Sequence, residues 1–266
     1  MDADLKQDIY NQAIEWIREA GDRIRESIGE PLTIDTKSNP NDLVTQMDKN
    51  TEKFFVEKIK GKYAHHHLIS EEGFGDKLNT MDGVVWIIDP IDGTMNFVHQ
   101  KRNFAISIGI YVDGIGEIGL IYDVMDDILY SAKRGEGAYK NGVKLPALEN
   151  KRLEESILAL NSFWTCENRA VNEKKMQELV KKVRGTRSYG SAALEFAYLA
   201  EGILDGYVTM KLAPWDIAAG VILVQEVGGT TTKADGQPLD LLKDNTILSA
   251  NQTIHEEIYS SYIELK

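Results

Sequence analysis

The stretch WIIDPIDGTMNF, residues 86–97, carries two aspartates three positions apart at the end of an apolar run. Pro90 stiffens the backbone between Asp89 and Asp92, and Gly93 permits a tight bend with close approach of a ligand to the main chain. Thr94 then opens a short helical or turn segment, where the first N–H groups have no intrahelical acceptor. Two carboxylates beside such amides can hold a divalent cation on one side and a phosphate on the other. The same residues also read as a plain D-P-x-D-G surface turn without chemistry.

Three further stretches offer oxygen ligands. ISEEG (69–73) places Glu71 and Glu72 directly after an apolar run, where a carboxylate can reach a neighbouring strand end. NDLVTQMD (41–48) carries Asp42, Thr45 and Asp48. APWDIAAG (213–220) sets Asp216 at a helix start, followed by small residues that permit close packing. Each alone reads as a cap or a solvated charge. Together they form an all-oxygen set without Cys or His, which suits Mg²⁺ and disfavours Zn²⁺.

A folded frame must bring these segments together. Leu5, Ile9, Ala13, Ile17, Ala20, Ile24 and Ile28 recur at helical spacing, and DKNTEKFFVEKIK (48–60) is a second amphipathic helix. HLIS (67–70) and VVWIID (84–89) are strand-type runs. The second is expected to end at Asp89, because Pro90 cannot continue a ladder. FAISIGIYV (104–112), GEIGLIYDV (116–124) and DILYSAKR (127–134) follow, joined by the turn-sized DG (113–114) and MDD (125–127), with another NG turn at 141–142. This predicts an antiparallel meander. Beyond LPALENKRLEE the texture changes to alternation. The strands ILALNS (157–162), GYVTM and NTILSA are interleaved with helices at 171–183, 191–202, 216–227 and the C-terminus. Alternation predicts an α/β half with a mixed or parallel sheet. The boundary falls near residue 145, giving halves 1–145 and 146–266.

The chain has 266 residues and a formal net charge of −12. That charge disfavours nonspecific nucleic acid or anionic membrane surfaces as partners. A phosphate-bearing substrate stays open, since bound cations reverse the field of an acidic pocket. The single cysteine, Cys166, excludes an intrachain disulfide and fits a reducing cytoplasm. The polar start MDADLKQDIY lacks secretory character, and no apolar run reaches membrane-spanning length. A cytoplasmic location is therefore expected. No G-x-x-x-x-G-K-[ST] or G-x-G-x-x-G stands between a strand and a helix, which removes P-loop kinases and dinucleotide oxidoreductases. IGEIG (115–119) belongs to a hairpin of the meander, and the histidines at 65–67 are expected in a solvated loop.

In this order and spacing, DLVTQMD, ISEEG, WIIDPIDGTMNF and PWDIAAG resemble the inositol monophosphatase family of Mg²⁺-dependent, lithium-sensitive phosphatases. RSYGSAALE (187–195) and EVGG (226–229) extend the resemblance over nearly the whole chain. It implies an α/β (α+β) fold, a layered α/β/α/β/α sandwich. The antiparallel half would carry most metal ligands; the second half would add Asp216 and the substrate wall. The resemblance implies two or three Mg²⁺ ions. Glu71, Asp89 and the backbone carbonyl of Ile91 would hold the first, and Asp89, Asp92 and Asp216 the second. Glu71 would also touch a weak third ion and counts with Asp48 and Thr94 as catalytic. Asp48 and Thr94 would orient and deprotonate the attacking water. The amides of Gly93 and Thr94 would hold phosphate, with Asp92, Gly190, Ser191 and Ala192 along the substrate. Lys37 would stand near the water-rich metal site. A homodimer is expected on the same ground.

The implied activity is hydrolysis of a small phosphate monoester, with inositol monophosphate first. Two cations about 3.5–4 Å apart clamp the entering and leaving oxygens in line. Several crowded carboxylates repel one another when empty, so the cations supply the missing charge. Substrate choice stays open at one position. Inositol-selective members usually carry an acidic residue seven positions before the W-D aspartate, and here that position is Thr209. Nearby Lys211 either attracts a second phosphate or points to solvent. Fructose 1,6-bisphosphate and NADP(H) or other nucleotide phosphates are therefore alternatives. A metal- and phosphate-binding regulator is the non-enzymatic one, although pure binding does not require the Asp48–Thr94 pair.

Overall fold

The computed structural model describes residues 2–30, 33–36 and 43–266. Helix α1 (Ala3–Ser27) is capped by Asp2, whose carboxylate accepts the Leu5 N–H at 2.8 Å. It buries Ile9, Ala13, Trp16, Ile17, Ala20 and Ile24, the face set by its helical spacing. Two three-residue strands, β1 (Ile34–Thr36) and β2 (Leu43–Thr45), pair antiparallel and lead into α2 (Gln46–Lys62).

A seven-stranded sheet follows in chain order: β3 (His67–Ser70), β4 (Val84–Asp92), β5 (Ala105–Val112), β6 (Ile115–Asp123), β7 (Ile128–Lys133), β8 (Gly137–Lys140) and β9 (Val143–Lys144). Helix α3 (Thr94–Gln100) intervenes between β4 and β5. β3 runs parallel to β4, and every later neighbour is antiparallel. The turns Asp113-Gly114 and Asn141-Gly142 hold positive φ at both positions (50° and 78°, 47° and 79°), which matches the twist of tight hairpins.

The second sheet contains β10 (Ile157–Leu160), β11 (Gly185–Arg187), β12 (Gly206–Leu212), β13 (Thr230–Thr232) and β14 (Asn245–Ala250), in the order β11-β10-β12-β14-β13. It is parallel around β10 and antiparallel around β14, hence mixed. Helices α4 (Glu173–Lys182), α5 (Ala192–Glu201), α6 (Pro214–Glu226) and α7 (Gln252–Ser261) belong to this half.

Five layers result. Trp86 and Ile88 of β4 face α1 and α2, packed with Trp16, Phe55 and Ile108. Val85 and Ile87 face the other way, onto Phe196 of α5 and Ile217 and Ile222 of α6. Those two helices fill the space between the sheets, where Tyr207 and Ile247 meet them from the second sheet. Its outer face is covered by Met176 and Leu179 of α4 and Ile254 and Ile258 of α7. β4 is thus buried on both faces, which explains its continuous apolar run. The layered α/β/α/β/α sandwich is as expected. None of the described helices is long and apolar enough to cross a membrane.

Two local expectations are corrected. β4 does not end at Asp89; it resumes and reaches Asp92. Asp89 pairs with Ser107 and Asp92 with Ala105, so Pro90 and Ile91 together oppose the single residue Ile106. This is a β-bulge, the one place inside a sheet where a residue lacking an N–H costs no ladder bond. His66 is not in a solvated loop. Its ring stacks on Tyr63 with centroids 4.7 Å apart, and its Nδ1 accepts the Trp86 indole N–H at 3.1 Å. His65 and His67 are exposed. The strands β1, β2, β11 and β13 were not expected, since three residues are too few to show alternation.

The small residues of IAAG set the spacing of α6 on the sheet. Gly109 of β5 and Gly119 of β6 are register partners. A Cβ at Gly109 would lie 2.6 Å from Ala218 Cβ, and one at Gly119 would lie 2.6 Å from the Ala219 carbonyl oxygen. Substituting Gly109→Val should therefore cost about 1–3 kcal/mol through overpacking, read as a lower urea midpoint with an unchanged slope. Gly29→Ala, which meets nothing within 4 Å, is the control. A Gly109→Val midpoint equal to that of wild type would contradict this contact.

Candidate active site

In a regular strand, residues three apart point to opposite faces. The bulge at Pro90–Ile91 inserts one residue and returns Asp92 to the side of Asp89. Asp216 joins them from the first turn of α6, and one ligand oxygen of each residue lies within 4.8 Å of the others. Each carboxylate is pinned through one oxygen. Asp89 Oδ1 accepts the Ile91 N–H at 3.0 Å, closing the bulge. Asp92 Oδ2 accepts the Ser191 hydroxyl and the Ala193 N–H, the latter at 2.8 Å, at the start of α5. Asp216 Oδ2 accepts the Ala213 N–H at 2.7 Å, beside Pro214 in the first helical turn. A second oxygen remains on each.

The electrostatics of this cluster are unfavourable by themselves. Burial pushes Asp89 well above the usual carboxylate range, and the charges of Glu71, Asp92, Asp216 and Asp48 push it further. Burial also raises Asp92 to about 6, against the hydrogen bonds from Ser191 and Ala193 that favour its ionised form. Asp216 is raised well above its usual value by burial, then by Asp92 and Glu71. Among the described residues, no lysine or arginine lies within ion-pair distance of these three. A hard divalent cation fits such a set, since only oxygen donors converge and their charge has no counterion among the described residues.

Glu71 stands in the turn after β3, outside the 4.8 Å set, but its charge acts on Asp89 and Asp216. That turn is held by a carboxylate that the sequence reading did not single out. Buried Glu52 of α2 accepts the Ser70 hydroxyl at 2.7 Å, the Glu72 N–H at 2.6 Å and the Phe74 N–H at 2.7 Å. An acidic residue between apolar helix positions, as in TEKFF, was the available signal.

Asp48 is buried in the first turn of α2 and forms its capping box with Thr45. Its Oδ2 accepts the Thr45 N–H at 2.8 Å and the Thr45 hydroxyl at 2.5 Å. Its Oδ1 lies 3.2 Å from the Thr94 hydroxyl, which is also 3.1 Å from the Ile91 carbonyl. The fold thus brings Asp48, Thr94 and Ile91 together. Gly93 has φ 92°, and a Cβ there would meet Ser191 Cβ at 3.1 Å and the Gly190 carbonyl oxygen at 3.2 Å. Lys37 and Asp42 lie outside the described residues.

A cleft of about 340 Å³ opens beside Asp92 and Asp216, with Gly190, Ser191, Ala192, Thr209 and Lys211 in its lining. Lys211 stands at the mouth with its side chain 73% exposed, 3.5 Å from Asp244. The Thr209 hydroxyl accepts the Trp164 indole N–H at 3.2 Å. Glu195 also lines the cleft and escaped the sequence reading. Burial pushes its carboxyl up to about 7, against hydrogen bonds from the Tyr189 N–H and Tyr207. A lone charge inside the apolar helix AALEFAYLA was its signature.

Fold and site together define a layered α/β protein with a cluster of three carboxylates, able to hold a cation, beside a polar cleft. The model of the inositol monophosphatase family matches residues 5–265, and the chain belongs to that family. The inositol-1-monophosphatase of Bacillus subtilis (strain 168) is 57% identical over 254 residues, covering 96% of each chain. SaIMPase-II with inositol monophosphate bound is 42% identical, with a TM-score of 0.87 over 96% of this chain and 93% of the other. An IMPase/NADP phosphatase complexed with Mg²⁺ and phosphate is 28% identical, with a TM-score of 0.89 over 96% and 95%.

A carboxyl with a raised folded pKa binds its proton more tightly when folded. Its contribution to stability is full below the ordinary pKa and is lost as pH rises through the folded value, about 6 for Asp92. A divalent cation binds the deprotonated carboxylates and offsets that loss. The rise in Tm on replacing chelator with excess Mg²⁺ should therefore be larger near pH ~8 than near pH ~5. Equal rises at both would contradict the cation site.

Proposed function

We propose that this chain is a Mg²⁺-dependent phosphatase that hydrolyses a small phosphate monoester, with inositol monophosphate as the first candidate. The observation that carries the reading is the carboxylate triad within 4.8 Å beside the Thr94–Asp48 couple. In this reading Asp89, Asp92, Asp216, Glu71 and the Ile91 carbonyl hold two or three ions. Bound there, Mg²⁺ supplies charge neutralisation at the phosphoryl oxygens and a more acidic water. The protein's own groups do the rest. Thr94 can donate its hydroxyl proton to Asp48 Oδ1 while its oxygen accepts from a water, which orients that water. The water proton passes through Thr94 to Asp48, whose other oxygen is held by Thr45. As the water oxygen bonds to phosphorus, the bond to the alcohol oxygen breaks and that oxygen takes up a proton. Gly93 and Thr94 offer N–H donors to the phosphoryl oxygens at the start of α3. Their placement depends on the left-handed Gly93, which only glycine adopts without strain.

The wall residues Gly190, Ser191 and Ala192 would flank the leaving group. Lys211 pairs with Asp244 and is largely exposed, so a second phosphate has no dedicated seat at that residue. This favours a monophosphate over a sugar bisphosphate. A pure metal- and phosphate-binding regulator accounts for the triad but gives no role to the Thr94–Asp48 couple. By family resemblance the chain would act as a homodimer in the cytoplasm.

Asp89→Asn should bring phosphate release from inositol monophosphate to background, as should excess chelator, while Li⁺ should inhibit. Thr94→Ala should lower kcat by about 10²–10⁴ and leave KM within a few-fold. Full activity in excess chelator would overturn the metal-dependent reading. Unchanged kcat in Thr94→Ala would remove the relay.

A further inference from the structure

Away from the carboxylate cluster and its cleft, a half-buried titratable ring is built into the frame. His66 stands immediately before β3. One face of its ring stacks on Tyr63 at the end of α2, with the planes 8° apart. Its Nδ1 accepts the indole N–H of Trp86 in β4. An imidazole nitrogen that accepts is unprotonated, so the proton sits on Nε2 and the ring is neutral. Trp86 is fully buried, which seals its N–H from water. The stack is itself anchored. The Tyr63 hydroxyl donates to Asp8 Oδ2 of α1 at 2.6 Å. Trp16 of α1 packs on Tyr63 and Trp86, with ring centroids 6.0 and 5.9 Å away.

The surroundings oppose protonation of this ring. Lys60 of α2 donates from Nζ to the His66 carbonyl at 3.1 Å, and His65 and His67 flank it along the chain. The nearby carboxylates are already engaged. Asp76 meets Lys60 at 2.7 Å, the Leu68 N–H at 2.9 Å and His67 Nδ1 at 3.8 Å. Asp8 of α1 meets Lys62 at 2.9 Å as well as Tyr63. β4 contributes only the uncharged indole. Burial, then repulsion from His67, His65 and Lys60, holds the imidazole below its ordinary value of 6.5. The unfolded chain therefore binds this proton more tightly than the folded one. His66 contributes stability in full above about 6.5 and loses it as pH falls through the folded value. An imidazolium can keep the face of Tyr63, but its Nδ1–H would point at the indole N–H, and a buried donor would lose its acceptor.

We propose that neutral His66 is a pH-sensitive latch on β3. It fastens the start of that strand to Trp86 of β4, and protonation releases the ring. β3 has four residues and stands at one end of the sheet order, so a lost tie at its start is felt along its length. Acid then loosens the strand together with the turn at its other end, which bears Glu71. The latch is independent of the phosphatase reading, because it acts on the strand whether or not that turn holds an ion.

The test follows the full chain in excess Mg²⁺ by heteronuclear NMR and hydrogen exchange, from pH ~8 down to pH ~5. In wild type, His66 should show an unprotonated Nδ1 at the alkaline end. The Trp86 indole resonance should then shift with a midpoint below about 6.5. Over the same range the amides of β3 and of Glu72 should lose about tenfold in exchange protection. His66→Gln keeps an acceptor for the indole but cannot titrate, so both responses should stay flat. His65→Gln changes an exposed neighbour and should retain both responses. A protonated Nδ1 at the alkaline end or an immobile indole resonance would overturn the latch. So would equal loss of protection in wild type and His66→Gln, or loss of the responses in His65→Gln. Should His66→Gln not fold, wild type alone decides: indole shift and loss of β3 protection must share one midpoint, and separate midpoints would overturn the proposal.

Discussion

Like charge held at close range governs this molecule. One oxygen from each of three carboxylates lies within 4.8 Å of the others, and burial makes each of these groups costly to ionise. Left free, such side chains would turn apart or take up protons. Here they cannot turn apart, because each is tied by one oxygen to a backbone N–H. Those ties come from three different devices: a bulge, the first turn of α5 and the first turn of α6. In the function proposed above, that repulsion becomes affinity for a cation rather than local disorder.

The rest of the fold keeps the three devices in register. α6 must lie close to β5 and β6 for Asp216 to reach Asp92, and facing glycines and alanines allow that approach. Gly220 similarly lies against the Phe196 ring, which joins α6 to α5 and so to the anchors of Asp92. Although the sheets part near residue 145, α5 and α6 bury against the seven-stranded sheet and share its core. Glu52 does a comparable task at the other end by gathering the turn that bears Glu71. The packing of small residues and the geometry of the carboxylate cluster are thus one problem, since a displaced α6 is a displaced Asp216.

The cleft wall is organised by different forces. Glu195 is buried and mostly engaged with backbone and Tyr207, so it stabilises the 189–190 segment more than it meets solvent. Thr209 is locked to an indole, and Lys211 leans out toward Asp244. This side has no free carboxylate aimed at polyol hydroxyls among the described residues.

Much of this was legible in the chain. The helices and the longer strands follow from apolar spacing, and the hairpin turns from Asp-Gly and Asn-Gly pairs, because period and turn chemistry are local properties. The four ordered motifs likewise named the acidic residues. Three-residue strands were silent, having too little length to show a pattern. Glu52 and Glu195 carried a faint signal, a charge inside an apolar helix, but nothing local says which backbone amides each will meet. The bulge ran against the local rule, since Pro90 forbids an ordinary ladder and only a misaligned partner strand tolerates it. The sequence by itself determined which residues could bind a cation and which elements bear them. Tertiary structure decided that Asp89 and Asp92 share a face, that Asp216 joins them, and that Thr209 faces an indole, because those outcomes depend on distances between segments far apart along the chain.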